Sequence, residues 1–214
     1  MRKISFYSLA LVALTLPLGA EKSGYFIGAS YHMGSASFTQ KTLLQENSQS
    51  TSNQISSTRP EDGVGLKLGY KQFFGDGRWF GLRYYAFLNY GYVDFGRFQG
   101  KPYHAHMLDY GIGSDVLYQV FDLPNLSFGF FCGIGIGADS WKERDFYHHF
   151  QTTIDVGLRT NIYQHHGFEV GAKVPFWQSE DYKTSKSSEA NITKELQTNI
   201  SYNSSFYIGY FYTF

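Results

Sequence analysis

The sequence predicts an all-β protein, an eight-stranded antiparallel transmembrane β-barrel that follows an N-terminal signal peptide. Three observations carry this expectation. First, 19% of the 214 residues are aromatic and only 17% are charged, where ordinary soluble domains carry about 25% charged residues. Mean hydropathy is nonetheless −0.30, so the apolar residues are not gathered into long runs. A transmembrane barrel produces this balance, because only alternate residues face lipid. Second, segments with an apolar residue at every other position recur along the chain. Third, the links between them alternate between short and long, as periplasmic turns and outer loops do.

The elements follow in order. Arg2 and Lys3 precede the mostly apolar stretch from Ile4 to Leu18, and Gly19 and Ala20 supply small residues before Glu21. This is the pattern of a signal peptide, too short for a good membrane span. Residues 1–20 are therefore expected to be a signal peptide, and residues 21–214 the barrel. The first strand is expected from Ser23 to Gly34, with Tyr25, Ile27, Ala29, Tyr31 and Met33 on one face. The second spans Asp62 to Phe73, with Val64, Leu66, Leu68 and Tyr70 opposing Lys67 and Lys71. The third, Trp79 to Asp94, sets Leu82, Tyr84, Ala86, Leu88 and Tyr90 against Arg83 and Asn89, with Tyr85 and Phe87 also on the second face.

The fourth, His106 to Val120, opposes Leu108, Tyr110, Ile112 and Val116 to Asp109 and Asp115. The fifth, Leu126 to Asp139, sets Phe128, Phe130, Cys132, Ile134 and Ile136 against a row of glycines. The sixth runs from Phe150 to Ile162 and turns Asp155 and Arg159 away from Ile154, Val156 and Leu158. The seventh, Phe168 to Trp177, turns Glu169 and Lys173 away from Val170, Ala172 and Val174. The last, from about Asn199 to Phe214, presents Phe206, Ile208, Tyr210, Tyr212 and Phe214 on one face. An even strand number suits bacterial barrels, and closure leaves no unpaired edge in lipid.

Short links surround Gly75, Pro124 and His165. Long ones run from Ser35 to Glu61, Phe95 to Ala105, Ser140 to His149 and Gln178 to Thr198. Gln45–Ser57 and Ser179–Glu195 are polar and low in complexity, and are expected to be mobile and solvated.

Eighteen basic residues balance eighteen acidic ones. Nucleic acid is thereby excluded as a partner, since phosphate binding needs a basic excess. Cys132 is the lone cysteine and faces lipid in this scheme. The inward face gathers Lys67, Lys71, Arg83, Arg159 and Lys173 with Asp109, Asp115, Asp139, Asp155 and Glu169. An eight-stranded barrel is just wide enough for its side chains to fill it, so these ten groups are expected to form a paired polar interior. The alternative is a narrow ion path, a porin-like channel, along gaps left by inward glycines.

His32, His104, His106, His148 and His149 are expected at the outer rim or in its loops, and His165 and His166 in a periplasmic turn. Their spacing matches no metal site, so neither metal nor cofactor is expected. Ser30 with His32, or Asp94 with His104, supplies the residue types of a hydrolase without a nucleophile motif. No catalytic residue is therefore assigned, and a lipid-modifying enzyme is the third reading. Phe74, Trp79, Phe80 and Phe121 are expected in the periplasmic aromatic belt. Tyr90, Tyr92, Phe95 and Trp141 are expected in the outer one.

The two ends carry a family resemblance. Glu21-Lys22-Ser23-Gly24-Tyr25-Phe26-Ile27-Gly28, after the short leader, and the closing Ser205-Phe206-Tyr207-Ile208-Gly209-Tyr210-Phe211-Tyr212-Thr213-Phe214 resemble the Helicobacter outer membrane protein family. The resemblance covers about a fifth of the chain. It implies an outer-membrane location among lipid and lipopolysaccharide, and insertion by the barrel-assembly machinery, which reads such terminal strands. Family members include adhesins and porins. The paired cysteines and bulky outer domain of the larger adhesins are absent here. The role expected from the sequence is structural or interactive, with the barrel as anchor and the outer loops as the surface for a host or surface ligand.

Overall fold

A computed structural model describes residues 21–46, 49–75, 77–98, 101–142, 146–180, 182–189 and 192–214. The expected signal peptide lies outside the described residues. Among these residues nine strands follow one another: β1 (Gly24–Glu46), β2 (Gln49–Phe74), β3 (Phe80–Phe98), β4 (Lys101–Leu123), β5 (Leu126–Lys142), β6 (Phe146–Ile162), β7 (His166–Gln178), β8 (Lys183–Glu189) and β9 (Ile192–Thr213). Eight of them close an antiparallel ring in the order β1 to β7, then β9, which pairs back onto β1. β8 pairs with β9 alone and adds to the edge above the ring.

Period-two alternation sets the two faces in the membrane-spanning half. Tyr25, Ile27, Val64, Leu68, Ile112, Ile134, Val170 and Phe206 are exposed on the outside, where lipid covers them. Their chain neighbours point inward, and there the bulky residues Phe26, Tyr85, Phe87, Phe131, Tyr207 and Phe211 are all buried. Glycines make room for these rings. A Cβ at Gly113 would lie 2.5 Å from the Tyr85 ring, and one at Gly171 2.8 Å from the Tyr207 ring. Phe74, Trp79, Phe80 and Phe121 are exposed at the periplasmic end, as belt residues should be. The turn between β2 and β3 bends at Gly75 (φ 71°), a conformation open to glycine at no steric cost.

The strands differ from expectation in length. Ser35–Glu61 is not a long loop. β1 and β2 pair without a break from Gly24↔Lys71 to Glu46↔Gln49. The stretch Ser179–Glu195 likewise supplies β8 and the start of β9. The sheet therefore continues well past the membrane-spanning half, and there it divides. β2 leaves β3 at Glu61↔Val93, and β7 leaves β9 at Lys173↔Ser205. Above those points β8, β9, β1 and β2 form one sheet, while β3 to β6, with the end of β7, form another.

Between these two sheets the inside changes character. Ala36, Phe38, Ile200 and Tyr202 from the first sheet pack with Val93, Phe95, Ala105, Met107, Trp141 and Tyr147 from the second in a buried apolar cluster. Phe95 and Trp141 are thus not outer-belt aromatics: they are 7% and 0% exposed and point inward. The wall outside them is polar. Ser37 Oγ lies 2.8 Å from Thr58 Oγ1, and Asn203 Nδ2 donates to Ser37 Oγ at 2.9 Å. Such cross-strand pairs suit a sheet that faces water. The extension is in effect a small water-facing sandwich on top of a lipid-facing barrel.

Candidate functional site

The barrel interior is built in layers, described here from the periplasmic end. Glu21 lies just before β1 and is 1% exposed. One of its carboxylate oxygens accepts from Lys71 Nζ at 2.6 Å. The other accepts from Gln119 Nε2 at 2.9 Å and Asn161 Nδ2 at 2.8 Å and forms an ion pair with the Arg159 guanidinium. Its main-chain carbonyl accepts from Arg78. A single carboxylate so ties β2, β4 and β6 together across the mouth. Alternation could not reveal this group, because Glu21 precedes the first strand and reads as the first residue after the leader.

The next layer centres on Arg83. Its Nε and Nη2 donate to Asp115 Oδ2 at 2.8 and 2.6 Å, and its other contacts reach both oxygens of Glu169. The guanidinium carbon lies 5.1 Å from the centre of the Phe131 ring and 5.6 Å from those of Phe26, Tyr85 and Phe211. Tyr85 Oη lies 3.0 Å from both Asp115 and Asp155. Lys67 Nζ is 3.5 Å from Asp155 Oδ2 and sits over the Tyr85 and Tyr207 rings. Further out, Asp109 accepts from Lys173 Nζ at 2.6 Å, Asn89 Nδ2 at 2.8 Å and Gln151 Nε2 at 2.8 Å.

All ten inward charges named from the sequence are buried. The structure joins nine of them within these layers, with Glu21 as the acid that completes five against five. Asp139 stands apart near the outer rim. There it meets His149 Nδ1 at 2.9 Å, Trp141 Nε1 at 3.1 Å and Gln178 Nε2 at 2.9 Å. Isolated charges in such a space would be very costly, and mutual pairing removes most of that cost.

Little space remains inside. A chamber of about 10 Å³ lies between His32, Glu61, Asn89, Asp109 and Ser205, room for about one water. Two larger concavities, about 650 and 510 Å³, lie on the lipid-facing wall. They are floored by small residues such as Ala29 and Gly65, or Gly69 and Ala86. Above the chamber stands the apolar cluster of the extension.

The histidines divide by face. His32 is not at a loop but inside the barrel, with Nε2 2.8 Å from Ser30 Oγ and its ring 5.3 Å from Tyr207. His149 is fully buried. His104 and His106 are exposed beside Tyr92 and Tyr90. His165 and His166 sit at the periplasmic turn, next to Thr213 and Tyr210. Among the described residues no group of three or more His, Cys, Asp or Glu could hold a metal ion. Asp94 is the cross-strand partner of His104, and its carboxylate accepts from the Gly96 amide at 2.8 Å. It thereby shapes a bulge in β3 at Asp94/Gly96.

Comparison with known proteins now decides the family. Residues 65–214 match the family described as Helicobacter outer membrane protein. The chain belongs to that family. It is an outer-membrane β-barrel protein, as the terminal motifs implied. None of the curated proteins matches the sequence. Among solved structures, the chain is similar to the outer membrane protein OprG from Pseudomonas aeruginosa, with 14% identity over 91% of this chain and 97% of that one and a TM-score of 0.51. Neisserial surface protein A shares 11% identity over 91% and 100% of the chains, with a TM-score of 0.38. The attachment invasion locus protein Ail of Yersinia pestis shares 11% over 87% and 99%, with a TM-score of 0.30.

Proposed function

We propose that this protein is a surface-interaction barrel: the lipid-facing half anchors, and the water-facing extension makes contact outside the cell. The observation that carries this reading is the change of interior at the membrane surface. Paired charges fill the barrel, and the apolar cluster around Trp141, Tyr147 and Phe38 lies across its outer end. Side chains so arranged leave the outer wall as the working surface. That wall is long and, from Thr51 to Thr58, exposed at every residue but the half-buried Ser57 and polar at every residue but Ile55.

This favours contact over the porin-like channel, which needs a continuous water path past Arg83 and Asp109. It also disfavours catalysis, because Ser30 and His32 meet inside the wall, where no substrate reaches them. Phe206, Ile208, Tyr210, Tyr212 and Phe214 face outward on the last strand, and we assign them to recognition by the assembly machinery.

The test compares cells that express the full chain with cells that express a variant in which residues 41–54 are replaced by a two-residue turn. Expression should raise attachment to epithelial monolayers, and trimming should remove the gain while the barrel still migrates as folded in unheated gels. Attachment indifferent to expression would count against the reading. So would discrete current steps from the purified protein in planar bilayers.

A further inference from the structure

We propose that the upper part of β2, from Gln49 to Thr58, is a docking edge for an extended segment of another polypeptide, which adds to the outer sheet as its next strand. This rests on the surface-contact reading above and names its partner class.

β2 is bonded to β1 from Gln49 to Lys71, but to β3 only from Glu61 inward. From Gln49 to Pro60 no described strand covers its second edge. The cause is local. The bulge at Asp94/Gly96, with Gly96 at φ 82°, bends β3 away just where pairing stops, and bulges both terminate pairing and recur at working sites. The Arg59 guanidinium lies beside Gly96 at the foot of the gap.

An exposed edge is ordinarily blunted by charge, proline or a bulge of its own. Residues 51–58 read Thr-Ser-Asn-Gln-Ile-Ser-Ser-Thr, without a charge or proline, and their register with β1 has no irregularity. The opposite edge of the same sheet, β8, opens with Lys183. The two edges are thus treated differently, and β2 keeps its row of N–H and C=O groups available for β-augmentation.

Side chains narrow the partner. Ser57 pairs with Phe38 and Ile55 with Gln40, so Ile55 and Ser57 share the face of the apolar cluster. Ile55 is 52% exposed and lacks the cover that a further strand would give. The fitting segment is uncharged and carries apolar residues at alternate positions. A second copy fits less well. β2 runs towards the bilayer in every copy, so two copies in one membrane cannot bring these edges together antiparallel without inverting a barrel.

The probe is a synthetic peptide copying residues 35–46, the segment that β2 already accepts on its other edge, with Lys41→Thr and Glu46→Gln to make it uncharged. It is titrated against the full chain in lipid nanodiscs and read by fluorescence anisotropy. Saturable binding is expected. N-methylation of one set of alternate peptide amides should weaken it at least tenfold, and methylation of the other set should leave it within twofold. Ile55→Asp should also weaken it tenfold without altering migration of the folded barrel. Absence of binding, or equal effects of the two methylation patterns, overturns the proposal. Disulfide-linked dimers of an Ile55→Cys, Cys132→Ala variant would also overturn it, by assigning the edge to a second copy. If the peptide fails while trimming residues 41–54 still abolishes attachment, the docking edge is wrong and the surface-contact reading stands.

Discussion

Replacing Arg83 with methionine is the sharpest test of the filled interior. Arg83 is 3% exposed and serves two carboxylates, Asp115 and Glu169, that have no second cation within ion-pair distance among the described residues. Methionine restores most of the volume among Phe26, Phe131 and Phe211 but leaves both acids unpaired. Breaking one buried pair costs about 3–5 kcal/mol, a drop in the folded-to-unfolded ratio of about a hundredfold to several thousandfold. With a urea slope of about 1–3 kcal/mol/M, the unfolding midpoint in lipid vesicles should fall by about 1–5 M. The companion variant Arg83→Met/Asp115→Asn/Glu169→Gln removes charge from both sides. It should recover more than half of the loss, because an uncharged replacement of a whole buried network is often close to neutral. A loss below about 1 kcal/mol for the single variant would refute the reasoning. A triple variant as unstable as the single one would refute it too.

Three further outcomes are expected. Glu21→Gln leaves Lys71 and Arg159 facing an amide, and should cost about 3 kcal/mol in the same urea assay, with Lys71→Met in that background returning part of it. Gly113→Leu drives a side chain into the Tyr85 ring, whose hydroxyl bridges Asp115 and Asp155; overpacking of this kind costs about 1–3 kcal/mol and should appear as a lower melting temperature by circular dichroism. Deletion of Phe214 should reduce the amount of folded barrel in outer-membrane fractions several-fold, measured by heat-dependent gel migration, and an unchanged yield would remove the terminal residue from the sorting signal.

The lipid-facing half was legible because a strand with lipid on one side and packed charges on the other has to alternate. Tyr25 to Met33 and Val64 to Tyr70 state that rule openly. Above the membrane the rule survives with its signs exchanged, and this hid the extension. Ala36 and Phe38 stand between Ser35, Ser37 and Thr39 with the same period of two, yet the surrounding Ser, Thr, Asn and Gln read as a solvated loop. Val93 with Phe95, and Ile200 with Tyr202, carry the same signal in segments too short to stand out. The partners of the inward charges were not legible either. Alternation assigns a face but not a neighbour across the lumen, so nothing in the sequence joins Lys173 to Asp109 or Arg83 to Glu169. His32 was misplaced by nearness to the strand end, although its parity with Ser30 already put it inside.

The continuity of β1 and β2 through the membrane surface also limits how such a chain can change over generations. Adding one residue to a strand exchanges its two faces from that point on. A single insertion after Met33 would put Phe38 into water and Ser37 among the aromatics. Length can therefore change by pairs, or by one residue taken up in a bulge, and the molecule keeps examples of the second kind. β9 slips by one against β1 at Ser35/Ala36 and thereby holds Ser205 and Tyr202 on the same side of the wall. Related chains should then differ in the height of their outer hairpins by even numbers of residues, with odd differences marked by a bulge at the level where lipid gives way to water.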